Sequence, residues 1–149
     1  MTVSESDKAY LSNSPAFTLE IEAETALSLT SSSVLNNQPN FSGNSYVDFG
    51  FAGAEMELNP VELSGTVTKI DIYYSQGNGN RLCELQVTST SAEGTLEITA
   101  DVFFTFTGGW DVIEKQETFL NLQPGTVSIK LVSVASYGCP NIDKYVIYQ

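Results

Sequence analysis

The sequence predicts an all-β protein, a two-sheet antiparallel β-sandwich of the jelly-roll kind. Three observations predict it: apolar residues recur at every second position over most of the chain, turn residues interrupt them at short intervals, and no stripe of helical period occurs. Residues 1–16 stand outside this pattern. They are polar, with Ser, Asn and one Pro, and read as a flexible leader or linker, which leaves residues 17–149 as the module. In that module Leu19, Ile21 and Ala23 alternate with Glu20, Glu22 and Glu24. Ile70, Ile72 and Tyr74 then alternate with Lys69, Asp71 and Tyr73, and Cys83, Leu85 and Val87 with Leu82, Glu84 and Gln86. Leu96, Ile98, Ala100, Val102, Phe104 and Phe106 keep one parity for eleven residues, and Val127, Ile129 and Leu131 repeat it. Such alternation puts one face of a strand in the core and the other in water. Gly50 to Gly53, Gly77-Asn78-Gly79-Asn80, Glu93-Gly94, Gly108-Gly109 and Pro124-Gly125 mark the turns, the last pair in the order a type II turn prefers.

A chain of 149 residues fits one domain, long enough to bury on the order of 70% of its unfolded surface. Eighteen acids against six bases give a net charge of −12, a field that repels phosphate backbones and anionic lipid. Nucleic acid and membrane surfaces are therefore not its partners. No histidine is present, which excludes triads, general bases and zinc sites built on imidazole and leaves carboxylates for acid–base and metal chemistry. Charged residues make up 16%, against about 25% in an average soluble protein, a composition that suits a secreted or extracellular setting. No stretch approaches the roughly 20 apolar residues of a membrane span, and residues 1–14 lack the apolar centre of a signal peptide, so the chain reads as a module of a larger exported protein. Cys83 and Cys139 offer one disulfide; two reduced thiols remain the alternative on sequence alone.

Two groups of residues could carry chemistry. Glu20, Glu22 and Glu24 share one face of the first strand and would repel each other; a calcium ion, which takes six to eight oxygens, would remove that cost, whereas a solvated outer face would need none. Trp110, the only tryptophan, follows Gly108-Gly109 and so falls in a turn, as a platform for a ligand or as a packing anchor. Tyr46, Tyr137 and Asn141 also stand beside Gly, Ser or Pro, and aromatic faces with amide groups suit sugar rings and their hydroxyls. Asp48, Glu55, Glu57 and Asp111 are nominal acids for a small glycosidase or lyase, but none stands in an apolar sequence setting that would raise its pKa.

Ile21-Glu22-Ala23-Glu24, the run from Gly43 to Phe49, the segment from Ile70 to Arg81, Thr107-Gly108-Gly109-Trp110-Asp111, Leu122-Gln123-Pro124-Gly125 and the terminal run from Pro140 to Tyr145 stand in an order and spacing that resemble carbohydrate-binding modules of family 6 and the related family 35. The resemblance covers nearly all the chain after residue 18. It implies a non-catalytic module that binds a polysaccharide and is covalently linked to a secreted carbohydrate-active enzyme. Carried over by position, Tyr46 and Trp110 match the aromatic pair around one sugar ring and Asn141 the asparagine that hydrogen-bonds it. Glu22, Glu24 and Asp143 match a structural calcium site, completed by carbonyls of the loop before Tyr46. The chain departs from the families in its long leader, in the length of the segment from Thr90 to Thr99 and in its cysteine pair. The reading that follows is a monomeric, calcium-stabilised glycan binder, with a neutral β-glucan favoured because few cations offset the charge of −12. A calcium-stabilised adhesion or structural module is the alternative, and an enzyme the more distant one.

Overall fold

The computed structural model describes residues 18–134 and 136–149. The predicted leader, residues 1–16, lies outside them. Among the described residues, twelve strands follow in order: β1 Thr18–Glu22, β2 Ser28–Thr30, β3 Ser32–Leu35, β4 Tyr46–Phe49, β5 Glu55–Glu57, β6 Val61–Leu63, β7 Val67–Ser75, β8 Arg81–Ser91, β9 Gly94–Phe104, β10 Glu114–Leu122, β11 Gly125–Ser133 and β12 Asn141–Tyr148. They form two antiparallel sheets, one ordered β10-β7-β12-β4-β3 with β1 also on β12, the other β2-β5-β11-β8-β9 with β6 also on β11. The all-β two-sheet sandwich is as the alternation predicts.

The parity of each strand sets its inner face. Ile70, Ile72 and Tyr74 of β7 and Tyr145 and Ile147 of β12 meet Leu85 and Val87 of β8, Ile129 and Leu131 of β11 and Met56 of β5 in one buried core. Each such aliphatic side chain taken from water contributes about 1.5 to 3 kcal/mol. Where a core residue carries a hydroxyl, the opposite layer answers it: Tyr145 donates to Met56 Sδ at 3.2 Å, and Tyr74 to the Thr105 carbonyl at 3.0 Å. The long alternating run forms one strand, β9, as far as Phe104, while Phe106 lies beyond it and is exposed. Only Val102 and Phe104 are deeply buried, since the first half of this edge strand, including Leu96, stays exposed. The segment from Thr90 to Thr99 is the tip of the β8–β9 hairpin, paired as far as Ser91 with Gly94.

One sequence expectation is corrected at the first strand. Glu20, Glu22 and Glu24 do not share a strand face, because β1 stops at Glu22 and Ala23–Thr25 form a 3-10 turn, closed by Ala26 N–H donating to the Ala23 carbonyl. Ala23 is fully buried there. Glu20 stays on the outer face and meets Lys144, with Nζ 3.2 Å from its carboxylate.

Cys83 and Cys139 form a disulfide with Cα atoms 5.9 Å apart. It joins the start of β8 to the segment preceding β12, and Cys139 N–H donates to Ser133 Oγ at 2.9 Å. The starts of β4, β8 and β12, the end of β7 and the loop before β10 therefore come together at one end of the sandwich.

Candidate functional site

Trp110, Tyr46 and Asn141, distant in sequence, line one open depression at that end, together with Leu35, Asn37, Gln38 and Asp48. Trp110 sits in the predicted turn, half-buried. The turn is pinned to the end of β7 through Thr107, whose N–H donates to the Gln76 carbonyl at 2.9 Å and whose Oγ1 accepts from Gln76 N–H at 3.0 Å. Asn40 Nδ2 donates to the Asp111 carbonyl at 2.9 Å and ties in the loop between β3 and β4. Under the indole lies Gly77, where an added Cβ would stand 2.5 to 2.7 Å from ring atoms, so the ring rests directly on backbone.

Tyr46 and Asn141 are not loop residues: each is the first residue of a strand, β4 and β12 respectively. Tyr46 is 3% exposed, its ring stacked on Phe41 with centroids 4.5 Å apart and its hydroxyl hydrogen-bonded to Asn37 Oδ1. It forms a wall of the depression with little open ring area, and Trp110 holds the more accessible face. Burial, reinforced by the charge of Asp48, holds the Tyr46 hydroxyl above the usual tyrosine pKa, so it stays a neutral hydrogen-bonding group. Asp48 corrects the expectation that none of the nominal acids stands where its pKa would rise: burial pushes it up while the nearby charge of Arg81 pulls it down.

Among the described residues, Asp48 is the one carboxylate lining this depression. Glu55 lies in the other sheet and pairs with Lys130 at 3.2 Å, Glu57 is on the same short strand, and Asp111 is exposed in the Trp110 turn. Two carboxylates flanking one bond, as glycosidic hydrolysis needs, are not assembled there.

Glu22, Glu24 and Asp143 do converge, through the turn after β1, the Ser42–Asn44 turn and β12. Glu22 Oε2, Glu24 Oε2 and Asp143 Oδ1 are each buried without a hydrogen-bond partner. The other Glu22 oxygen accepts from the Ser42 hydroxyl, and Glu24 Oε1 lies where a Cβ on Gly43 would fall, 2.5 Å away. Burial raises Asp143 to about 6; the Ser42 backbone N–H opposes the rise, while the charges of Glu22 and Glu24 add to it. Three converging carboxylates with buried, orphaned oxygens fit a hard cation that prefers oxygen ligands. Among the described residues, however, no three acidic, cysteine or histidine side chains form a ready metal cage by themselves, so an ion here would also need backbone oxygens.

Arg81, Asn37 and Phe41 were not singled out by the sequence for a site. Arg81 is 8% exposed, and its Nη1 donates to the Tyr137 carbonyl at 2.6 Å and to the Gly138 carbonyl at 3.4 Å. Its guanidinium carbon lies 5.9 Å from the Trp110 ring and 4.8 Å from the Tyr137 ring. Lys69, Lys115, Lys130 and Lys144 each meet a carboxylate instead. An arginine opening an alternating strand carries no sequence sign that it will turn under a loop.

No protein-family model and no curated protein sequence matches the chain. Solved structures do. A family 35 carbohydrate-binding module from Clostridium thermocellum has a TM-score of 0.77 at 22% identity, covering 90% of this chain and 99% of that one. The module Xyl-CBM35, in complex with a disaccharide containing glucuronic acid, has a TM-score of 0.73 at 20% identity, covering 88% and 93%. An exo-β-1,3-galactanase from Phanerochaete chrysosporium, with galactose, has a TM-score of 0.70 at 26% identity; the match covers 89% of this chain and 30% of the enzyme. The chain therefore has the jelly-roll fold of the family 35 carbohydrate-binding modules, the second of the two families its motifs resemble.

Proposed function

We propose that the protein is a non-catalytic carbohydrate-binding module that holds a polysaccharide in the depression between Trp110 and Tyr46. The carrying observation is convergence: on a family 35 fold, the aromatic pair and Asn141 meet at one end of the sandwich. Trp110 stacks on the C–H face of a sugar ring, and Asn141 supplies donor and acceptor to its hydroxyls. Tyr46 supports the ring from the side. A neutral β-glucan is the preferred ligand, since the net charge of −12 disfavours an acidic chain and the four described lysines are occupied by carboxylates. One shallow site of this kind gives dissociation constants from about micromolar to millimolar.

Calcium held by Glu22, Glu24 and Asp143 would serve stability, tying the turn after β1 and the Ser42–Asn44 turn to β12. The galactanase, in which the same fold occupies under a third of a longer chain, supports a linked catalytic domain. The disulfide suits an oxidising, extracellular compartment. An acidic sugar is the second reading, favoured by Arg81 beside Trp110 and by the glucuronic acid bound to the Xyl-CBM35 module.

Affinity electrophoresis through gels of neutral β-glucan and of a uronate polymer, at low and high salt, tests these readings. Retardation on the neutral gel, insensitive to salt and lost in Trp110→Ala, is expected. Salt-sensitive retardation on the uronate gel alone would transfer the assignment to the second reading. Release of reducing ends would make the protein an enzyme, and retention on no glycan would leave an adhesion or structural module.

A further inference from the structure

We infer that a second sugar subsite adjoins the first, lined by Arg81, Tyr137, Asn78 and Asn80, so that the module takes consecutive units of a neutral oligosaccharide chain. This rests on the glycan-binding reading of the Trp110 depression and extends it. The backbone under the indole at Gly77 runs on through residues 78–80 into a separate depression lined by Asn78, Gly79, Asn80, Arg81 and Tyr137. Arg81, which lines the second depression, links it to the first, its guanidinium carbon 5.9 Å from the Trp110 ring and 4.8 Å from the Tyr137 ring. The Trp110 and Tyr137 rings are thus no farther apart than those two distances together, within reach of a di- or trisaccharide.

The chemistry of the lining suits a sugar. Tyr137 is 54% exposed, far more than a tyrosine packed for stability, and it offers a face for stacking at the outer edge. Arg81 spends Nη1 on the Tyr137 and Gly138 carbonyls, which fixes the guanidinium plane and leaves three N–H donors on Nε and Nη2. Asn80 is held in place because its Oδ1 accepts the Phe106 N–H at 2.8 Å, which keeps the 78–80 turn shaped without a ligand. Asp48, on the first depression, and Arg81, on the second, each feel the other's charge. The guanidinium is thereby partly balanced by the protein itself, so it serves as a donor to hydroxyl and ring oxygens rather than as a cation awaiting an anion. Tryptophan and tyrosine faces on either side of one donor give two stacking positions along one chain.

The test is isothermal titration of the full chain with β-1,3-linked gluco-oligosaccharides of one to six units, for the wild type and for Tyr137→Ala, Tyr137→Phe and Trp110→Ala. In the wild type, affinity should rise at least tenfold between one unit and three and then level off. Tyr137→Ala should remove that rise while leaving the single-unit affinity within about twofold, and Tyr137→Phe should restore it. Trp110→Ala should abolish binding at every length. Because the Tyr137 side chain is exposed and its carbonyl, which Arg81 needs, survives truncation, melting temperatures should stay unchanged in both Tyr137 variants. Wild-type affinity independent of length, or equal weakening at all lengths in Tyr137→Ala, would overturn the second subsite and leave the first intact. No binding by the wild type at any length would overturn the β-glucan reading and the subsite with it.

Discussion

The carboxylate cluster and the aromatic depression are neighbours, yet they are built in opposite ways. Asp143 and Asn141 stand two residues apart on β12, and the loop between β3 and β4 supplies Ser42 and Gly43 to one and Asn37 and Phe41 to the other. In the cluster, buried oxygens lack partners and like charges face each other. In the depression most walls are held by partners already present, Tyr46 by Asn37 and the Trp110 turn by Gln76 and Asn40, although Gln76 Oε1 and Ser75 Oγ at the end of β7 lack partners. A buried polar group left unsatisfied costs about 1 to 3 kcal/mol, a cost that the proposed calcium would remove. The depression is open and largely braced, which on the proposed reading suits a weak, exchangeable ligand. On the proposed reading the first serves stability and the second recognition, and each variant below presses on one side of that division.

The largest effect belongs to the disulfide, which braces the recognition side. Cys83 and Cys139 are 56 residues apart, and closing a loop of that size removes denatured-state entropy equivalent to about 4 kcal/mol in the chain-entropy model. Replacing both cysteines by serine should lower unfolding stability by an amount of that order in urea titrations. Asn141 follows the bridge by two residues, so glycan affinity should fall as well. Unchanged affinity in a strongly destabilised variant would show that the depression does not depend on its covalent brace.

Next in size is Tyr46→Ala. The buried, stacked ring makes this a core truncation, with an expected loss of about 3 to 5 kcal/mol. Trp110→Ala, at a half-buried turn, should cost far less stability while abolishing binding. The two aromatics that the resemblance treats as a pair would then separate into a supporting wall and a working face. Similar stability losses in both variants would erase that distinction.

Removing calcium addresses the other side. An ion that binds only the folded protein stabilises it by about 2.7 kcal/mol at a hundredfold excess over its dissociation constant. Calcium should therefore raise the melting temperature, chelator should lower it, and Asp143→Asn should blunt the response. Because Phe41 precedes the Ser42–Asn44 turn and stacks on Tyr46, a modest loss of glycan affinity in chelator is also expected. A melting curve indifferent to calcium and chelator would reduce the cluster to an unrelieved strain.

What the sequence made legible follows from the range of the forces involved. Strand parity is local, so Ile70, Ile72 and Tyr74 announce their face without any knowledge of their partners. The turn holding Trp110 is equally local, marked by two glycines. The Ala23–Thr25 turn was not legible, because Glu24 and Ala23 continue the alternation of the strand before them and only tertiary packing ends it. The burial of Tyr46 was hidden for a similar reason: its cover is Phe41, five residues away across an irregular loop. Arg81 lay furthest from view. Its placement depends on carbonyls more than fifty residues later, and no local pattern encodes those.

The smallest and sharpest change is Gly77→Ala, which adds one methyl group and removes nothing. That methyl would stand 2.5 Å from Trp110 Cδ1, 2.6 Å from Nε1 and 2.7 Å from Cε2, closer than nonbonded atoms approach, so the ring must lift or tilt. The Gly77 φ is not of the left-handed kind reserved for glycine, so the backbone itself accepts alanine there. Stability should therefore change by under about 1 kcal/mol, while a displaced stacking face should weaken glycan binding about tenfold, or about 1.4 kcal/mol. Tryptophan fluorescence reads the displacement directly, since the chain has one indole. Unchanged emission with unchanged affinity would mean that the indole does not rest on this backbone in solution. Shifted emission with unchanged affinity would mean that the ring moves freely and that recognition lies elsewhere in the depression.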